Sequence, residues 1–472
     1  MLIKLDIAKA FDSVRWDYLL DLMQRMGFPS RWRAWASLIL STTTSRVLLN
    51  GIPGKEIIHG RGLRQGDPLS PLLFDLAIDT LPKILELATE SGLLHPLPGH
   101  FFKSRISLYA DDAVIFLQPS AHDVNNLAAL LHNFGEVTGL MTNVEKSSVT
   151  PIRCADIDLN GILTNFPAAL SQFPIKYLGL PLSLGRLRRI DLQPYIDKVA
   201  SRLNPWKSKF LNRAGCEALV KSVLTALPVF LLTVIRVDKA ILKAFDKLRR
   251  SMLWAASDKV SGGKCKVGWT KVCRPKKLGG LGILDLEKFS RALRLRWLWL
   301  EWDAPDKPWV GLETPNNAAD KELFNAATEV TIGDGMTAHF WTSSWLNGMA
   351  PMSIAPKIFE ASKKKNRRVQ NALTNLNWVA DISVQNFTVE HITEFVNLWG
   401  CLQEVTLTPG TVDTITWTFS PNGRYSAGSA YKSQFLGSIP CAFGDLVWKT
   451  WAPPKCRFFS WLVVQNRLWT SH

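Results

Sequence analysis

The sequence predicts an α+β protein: an antiparallel sheet with packed helices in its first part, then a mainly helical basic stretch, then a Trp-rich C-terminal region. Three observations lead there. Two strand-like apolar runs, ISLY and AVIFL, flank paired acids at Asp111 and Asp112. Positive charge is concentrated between Arg186 and Arg296, with 26 basic and 8 acidic residues against 30 and 32 elsewhere. Thirteen of the 19 tryptophans stand at or beyond residue 297. With 472 residues the chain has room for about three structural units. Its 47% hydrophobic and 20% charged residues exclude disorder over most of the length.

Taken in order, MLIKLD is an apolar strand ending in a carboxylate. Val14, Tyr18, Leu19, Leu22, Met23 and Met26 then follow at helical spacing up to Gly27, so a strand, a short turn and an amphipathic helix are expected. Asp6 lies at the strand end, where a carboxylate can project into a cleft, and Asp12 reads as a helix N-cap. Residues 60–71, GRGLRQGDPLSP, form a glycine-bearing loop before the helix-like LLFDLAIDTLPKIL. Such a loop lets backbone and Gln65 approach a nucleotide, although most such loops are only turns. Phe102 to Gln118 reads as a hairpin with paired acids at its tip.

The basic stretch is interleaved with Trp206, Phe210, Phe245, Trp254, Trp269 and Phe289, a mixture that grips phosphates and stacks on bases, or equally fills a core beneath solvated helix faces. With an overall charge of +16, a polyanionic partner is expected. Ser222 to Ile235 is the most apolar run, but at 14 residues with Pro228 inside it is too short to span a membrane and reads as buried core. Glu301 to Lys321 reads as a linker, and Lys363 to Arg368 (KKKNRR) as a solvated loop, with nuclear localisation as the minority option. Seven cysteines without CxxC or zinc spacing imply reduced, mostly buried thiols. The charged N-terminus is not a signal peptide, so an intracellular protein, nuclear or cytoplasmic and not secreted, is expected.

Asp111 and Asp112 would repel one another at the mouth of a core unless a cation compensated them. A plain Asp-containing turn is the alternative, but the dipeptide is Asp-Asp and not Asp-Gly, and Asp6 offers a third carboxylate. Three aspartates on adjacent strands would hold two Mg²⁺ ions about 4 Å apart for in-line phosphoryl transfer. An acid-lined nuclease would use the same aspartates without explaining Gln65-Gly66.

KLDIAKAFDSV, GLRQGDPLSPLLFDLAIDTL, YADDAVIF, GLMTNVEKSSV and KYLGLPLS, in this order, resemble motifs A to E of a reverse transcriptase of the non-LTR, LINE-type retrotransposon family, plant branch. GWTKVCRPKKLGGLGILDLEKFSRALRLRWLW and IGDGMTAHFWTSSWLNG are similar to its connecting region, and DTITWTFSPNGRYSAGSAYKS with VWKTWAPPKCRFFSWLVVQNRLWT to the start of its zinc-binding domain. The resemblance implies a polymerase palm over residues 1–183, a basic helical thumb or connection over 184–300, a linker and Trp-containing connecting region over 301–410, and a partial zinc-binding-type domain over 411–472. It implies an RNA-directed DNA polymerase acting on an RNA template, a DNA primer and deoxynucleotides, with two Mg²⁺ ions on Asp6, Asp111 and Asp112. It further implies Phe11 beneath the incoming sugar, Gln65 and Gly66 beside nucleotide and template, Lys146 near the leaving pyrophosphate, and Tyr177, Leu178 and Gly179 as the primer grip. Family members place fingers segments before motif A and zinc ligands beyond the C-terminal motif. A chain starting at motif A is therefore expected to polymerise weakly, and no zinc site is expected. The alternative is an inactive retroelement remnant or nucleic-acid-binding protein.

Overall fold

A computed structural model describes residues 1–98, 104–202, 211–255, 265–383 and 387–468. Trp206, Phe210 and the first residues of the expected hairpin, Phe102 and Lys103, lie outside the described residues. The chain divides into two compact units, Met1–Asp191 and Leu192–His472, so the expected breaks near 300 and 410 fall inside the second.

The first unit is organised by β1 (Leu2–Leu5), whose sequence LIKL alternates between two buried faces. On one face Ile3 and Leu5 join a large core with Leu19 and Met23 of α2 (Trp16–Arg25), Phe74 of α4 (Ser70–Ile78), Leu85 of α5 (Thr80–Glu90), and Leu127 and Leu131 of α6 (Ala121–Thr138). Each such side chain contributes roughly 1.5–3 kcal/mol. On the other face Leu2 packs with Val114 and Ile175. The strand thus sits at the sheet centre because it is apolar on both sides, apart from half-buried Lys4.

The sheet order is β4-β5-β1-β6-β7, with β4 Ile106–Tyr109, β5 Asp112–Phe116, β6 Ser148–Thr150 and β7 Ala169–Leu170. All neighbours are antiparallel except β6 and β7. Between α2 and α4 run α3 (Ser30–Ser41) and an exposed hairpin of β2 (Thr44–Leu49) and β3 (Ile52–Ile58). A further hairpin, β8 (Ile175–Tyr177) and β9 (Leu180–Leu182), sets Ile175 and Tyr177 against the Leu2–Val114 face.

Asp12 is not an N-cap. It lies inside a single helical turn, α1 (Ala10–Ser13), and α2 starts after Arg15 with no side-chain cap. The helix-like stretch after the glycine loop is split at Asp79 into α4 and α5.

The second unit is mostly helical and, among the described residues, has one two-stranded ladder, β10 (Thr328–Thr331) and β11 (Thr414–Trp417). The run Ser222 to Ile235 is a π-helical turn, Val220–Leu224, and a short helix, Val229–Val234; Leu224, Leu231 and Leu232 are buried while Phe230 is exposed, so it is core on one side only. No helix among the described residues is long and apolar enough to cross a membrane.

Phe245 and Trp254 are core residues, and part of the positive charge is internal. Arg249, fully buried, donates to Asp246 (2.6 Å) and to the Leu284 carbonyl (2.6 Å), and lies 5.4 Å from the Trp269 ring. Arg294, on the helix Leu286–Asp303, donates to buried Asp320. The expected linker shortens to 304–317, because that helix runs to Asp303 and the next begins at Ala318. In KKKNRR only the lysines and Asn366 are exposed. Arg367 pairs with Asp381 (2.5 Å) and Arg368 donates to the Thr337 carbonyl, so the arginines hold the loop and the solvated reading covers only its first four residues.

The late tryptophans make a core: Trp341 and Trp378 are buried, with Trp378 stacked between Phe340 (5.8 Å) and Phe395 (5.3 Å). Cys154, Cys216 and Cys273 are buried, but Cys265 and Cys456 are exposed and Cys401 and Cys441 half-buried, so the thiols are free without being mostly buried.

Candidate functional site

Antiparallel pairing of β1 with β5 matches Leu5 with Ala113, so one step further along the same register sets Asp6 opposite Asp112. Alternation puts both on the Leu2–Lys4–Val114 face. Lys4 marks that face: its Nζ stands 4.0 Å from Asp112 Oδ1 and donates to the Lys176 carbonyl (3.1 Å). Asp111 is exposed in the two-residue turn Ala110-Asp111 that joins β4 to β5, where Tyr109 pairs with Asp112. Ala110 has φ +50, a left-handed conformation that costs a residue with a Cβ and that Gly would take more cheaply. The tip therefore keeps a strained backbone and two adjacent acids.

Asp6 is held from its other side by the segment after α6. Its N–H donates to Ser147 Oγ (3.1 Å), its carbonyl accepts from the Asn143 N–H (2.7 Å), and Ile7 bridges to Thr142. Ser147, buried, also donates to the Asn143 carbonyl (2.7 Å). Lys146 lies in this turn with its side chain exposed, and its N–H donates to Asn143 Oδ1 (3.2 Å). The three acids are half-buried (Asp6, Asp112) or exposed (Asp111), and among the described residues they do not bring one donor oxygen each within 4.8 Å of the others. Holding shared cations would thus require side-chain rotation, which their exposure permits.

The α1 turn is clamped between two glycines. Gly62 has φ +88, and a Cβ there would meet the Asp12 carbonyl at 2.6 Å; Gly139 has φ +84, and its Cβ would meet the Ser13 carbonyl at 2.0 Å. The Gly62 and Leu63 N–H groups donate to the Val14 and Phe11 carbonyls (2.8 and 2.7 Å), and Trp16 Nε1 donates to the Gly62 carbonyl (2.7 Å). Phe11 is half-buried and stacks on buried Phe74 with centroids 4.5 Å apart and planes 13° off parallel. Gln65 and Gly66 are exposed; Gln65 Nε2 approaches Asp12 Oδ1 at 3.4 Å, and Gly66 has φ +90. Asp12, misread as a cap, thus faces the Gln65 loop.

Tyr177 reaches the acid-tipped hairpin directly: its hydroxyl lies 2.9 Å from Ser107 Oγ and donates to the Ser107 carbonyl on β4 (3.2 Å). Leu178 and Gly179, with φ +47 and +80, form the two-residue turn of β8–β9. Sequence reasoning missed Lys4, Ser147, Gly62 and Gly139. The glycines carried a signal in their type, but the carbonyls they approach are 50 and 126 residues away.

β1 and the β4–β5 hairpin thus carry three hard oxygen donors, with the half-buried Phe11 ring and the exposed Gln65 and Lys146 side chains on the turns packed around β1 and α1. Residues 1–182 match the family described as reverse transcriptase (RNA-dependent DNA polymerase), and residues 425–472 match zinc-binding in reverse transcriptase. The first unit is a reverse transcriptase domain, and the relatives of the chain include proteins of the non-LTR elements R2 and TX1. The chain is 24% identical over 325 residues to a ribonuclease H protein of Arabidopsis thaliana, covering 62% of this chain and 51% of that one. It is 24% identical to the transposon TX1 149 kDa protein of Xenopus laevis, over 68% of this chain and 24% of the relative. It is 26% identical to the Pol polyprotein of the type-2 retrotransposable element R2DM of Drosophila melanogaster, over 62% and 27%. The chain therefore spans about half or less of the length of these relatives.

Proposed function

We propose that the first unit is the catalytic palm of an RNA-directed DNA polymerase, working on a nucleic-acid template, a primer and deoxynucleotides in an intracellular setting. The observation that supports this reading is the β1–β5 register, which ends at Leu5 against Ala113 and whose next step would set Asp6 beside Asp112, with Asp111 at the adjoining tip. Three carboxylates are a hard-oxygen donor set suited to Mg²⁺ and offer no soft ligand. Bound there, a pair of Mg²⁺ ions would activate the primer 3′-OH and stabilise charge on the transferred phosphate.

The chain's own side chains would do the rest. Phe11, its ring held by Phe74, would lie against the sugar and exclude a 2′-OH. Gln65 and Gly66 would contact the nucleotide and template from the loop braced on α1. The exposed Lys146 ammonium would meet the departing pyrophosphate, where a cation offsets developing negative charge. The turn Tyr177–Gly179, tied to β4 through Ser107, would hold the primer end at a set distance from Asp111 and Asp112.

Two tests separate these parts. In RNA-templated primer extension, Phe11→Val is expected to raise ribonucleotide relative to deoxynucleotide incorporation about tenfold or more while the fold is kept; an unchanged ratio would make Phe11 a core aromatic only. For the basic stretch, affinity for primer–template is expected to fall steeply with salt. Replacing the exposed Lys243 and Lys247 together should reduce the log–log slope by about 2, because each lost phosphate contact releases one counterion fewer. A slope that stays the same would remove the helix that carries them, Lys239–Ala255, from the nucleic-acid surface.

A further inference from the structure

Away from the aspartates, the first unit carries a second group of metal-ligating side chains. His95, in the loop after α5, and His122 and Asp123, in the first turn of α6, each present one donor atom, and all three atoms lie within 4.8 Å of one another. Among the described residues it is the group that meets this compactness. His95 Nδ1 stands 2.5 Å and His122 Nδ1 3.4 Å from Asp123 Oδ1, and the two rings meet edge to face at 5.1 Å. Both imidazoles are about half exposed, whereas Asp123 is fully buried.

An independent observation concerns that carboxylate. Oδ1 takes contacts from both rings and from the His95 N–H (3.3 Å), but Oδ2 is buried and has no hydrogen-bond partner among the described residues. A buried carboxylate with one oxygen unpartnered is unfavourable, and a cation held against the group offsets its charge.

We propose that His95, His122 and Asp123 form a binding site for a borderline divalent cation of the zinc class. Two imidazoles and one carboxylate suit Zn²⁺, Co²⁺ or Ni²⁺ better than Mg²⁺, and three protein ligands with exposed histidines leave a position for water. The ion would tie the loop at His95 to the start of α6, 28 residues on. Two positive features oppose it: the N-terminal end of α6 and buried Arg105, which donates to the His95 carbonyl (2.6 Å). They make the site weaker than a closed structural zinc centre. The site is separate from the aspartates of the proposed palm and stands whether or not that reading does.

The test is a Co²⁺ titration of the full chain, followed by competition with Zn²⁺. One Co²⁺ per chain is expected, with the visible absorption of a nitrogen–oxygen site, without thiolate charge transfer, and bleached by Zn²⁺. His95→Ala and His122→Ala, both at exposed positions, should each weaken binding 10- to 100-fold. His132→Ala, on the same helix and exposed, should leave it unchanged. Zn²⁺ should raise the Tm of the parent chain and of His132→Ala but not of His122→Ala. Asp123→Asn is the less useful variant because the buried group supports the fold. The proposal is overturned if the parent takes up no such Co²⁺, or if the His95 and His122 variants bind it as tightly as the parent.

Discussion

Asp111→Ala is expected to lower RNA-templated primer extension on the order of 10³-fold or more, measured with Mg²⁺ and deoxynucleotides. Asp111 is exposed at a hairpin tip, and among the described residues its side chain makes no hydrogen bond or ion pair that the fold depends on, so the variant should fold with unchanged Tm. That separates a chemical role from a packing role. Asp112→Ala would test the same point less cleanly, because Asp112 begins β5 and lies beside the Lys4 ammonium. Primer–template binding should survive in Asp111→Ala, since the phosphate contacts come from basic side chains. Undiminished extension by the variant would end the metal-holding reading of these acids; loss of binding along with activity would point instead to a folding defect.

The second large effect belongs to Asp413, just before β11. Its Oδ1 accepts from the Gly333 and Gly335 N–H groups (2.8 and 2.9 Å), and its Oδ2 from those of Thr337 and Ala338 (both 2.9 Å). A single carboxylate thus satisfies four backbone donors of the loop IGDGMTA, which leads into the Phe340–Trp341 core. Asp413→Ala should cost about 3 kcal/mol or more, because buried N–H groups lose charged acceptors, and should lower Tm by roughly 6–10 °C.

Burial pushes the Asp413 carboxyl up, but the four N–H donors outweigh it and leave it below the usual carboxylate range. With the folded value depressed, the stabilisation is complete above the ordinary Asp value and is lost as pH falls through the folded one. The stability gap between the chain and Asp413→Asn, followed by thermal unfolding, should therefore be flat from neutral pH down to about pH 5 and narrow only in more acidic solution. A gap that narrows already near pH 6 would show that the group is not held ionised by these donors.

Much of the first unit was legible in sequence. The strand MLIKLD, the hairpin ISLY–AVIFL and the helices after Ser13 and after the glycine loop declare themselves through side-chain period and punctuation, which local backbone geometry imposes on any chain. The acids could be chosen because an aspartate at the end of an apolar strand is out of place by type. The same reasoning failed at Asp12, where a residue ahead of a helix reads as a cap but lies inside a separate helical turn. In the second unit the charge count could not tell that Arg249 and Arg294 are buried. Nor could it tell that the arginines of KKKNRR are structural.

By itself, then, the sequence determined element types, the order of the motifs and the residue kinds able to carry metal-dependent phosphoryl chemistry, because these are properties of short windows. Tertiary structure alone decided which distant groups meet. It chose the register that sets Asp6 beside Asp112 and the carbonyls against which Gly62 and Gly139 close. It also brought His95 to Asp123 and aimed four N–H groups at Asp413. The physical reason is that a buried polar atom must find its partner wherever packing delivers one. That partner is set by long-range burial of apolar faces, which no local pattern records.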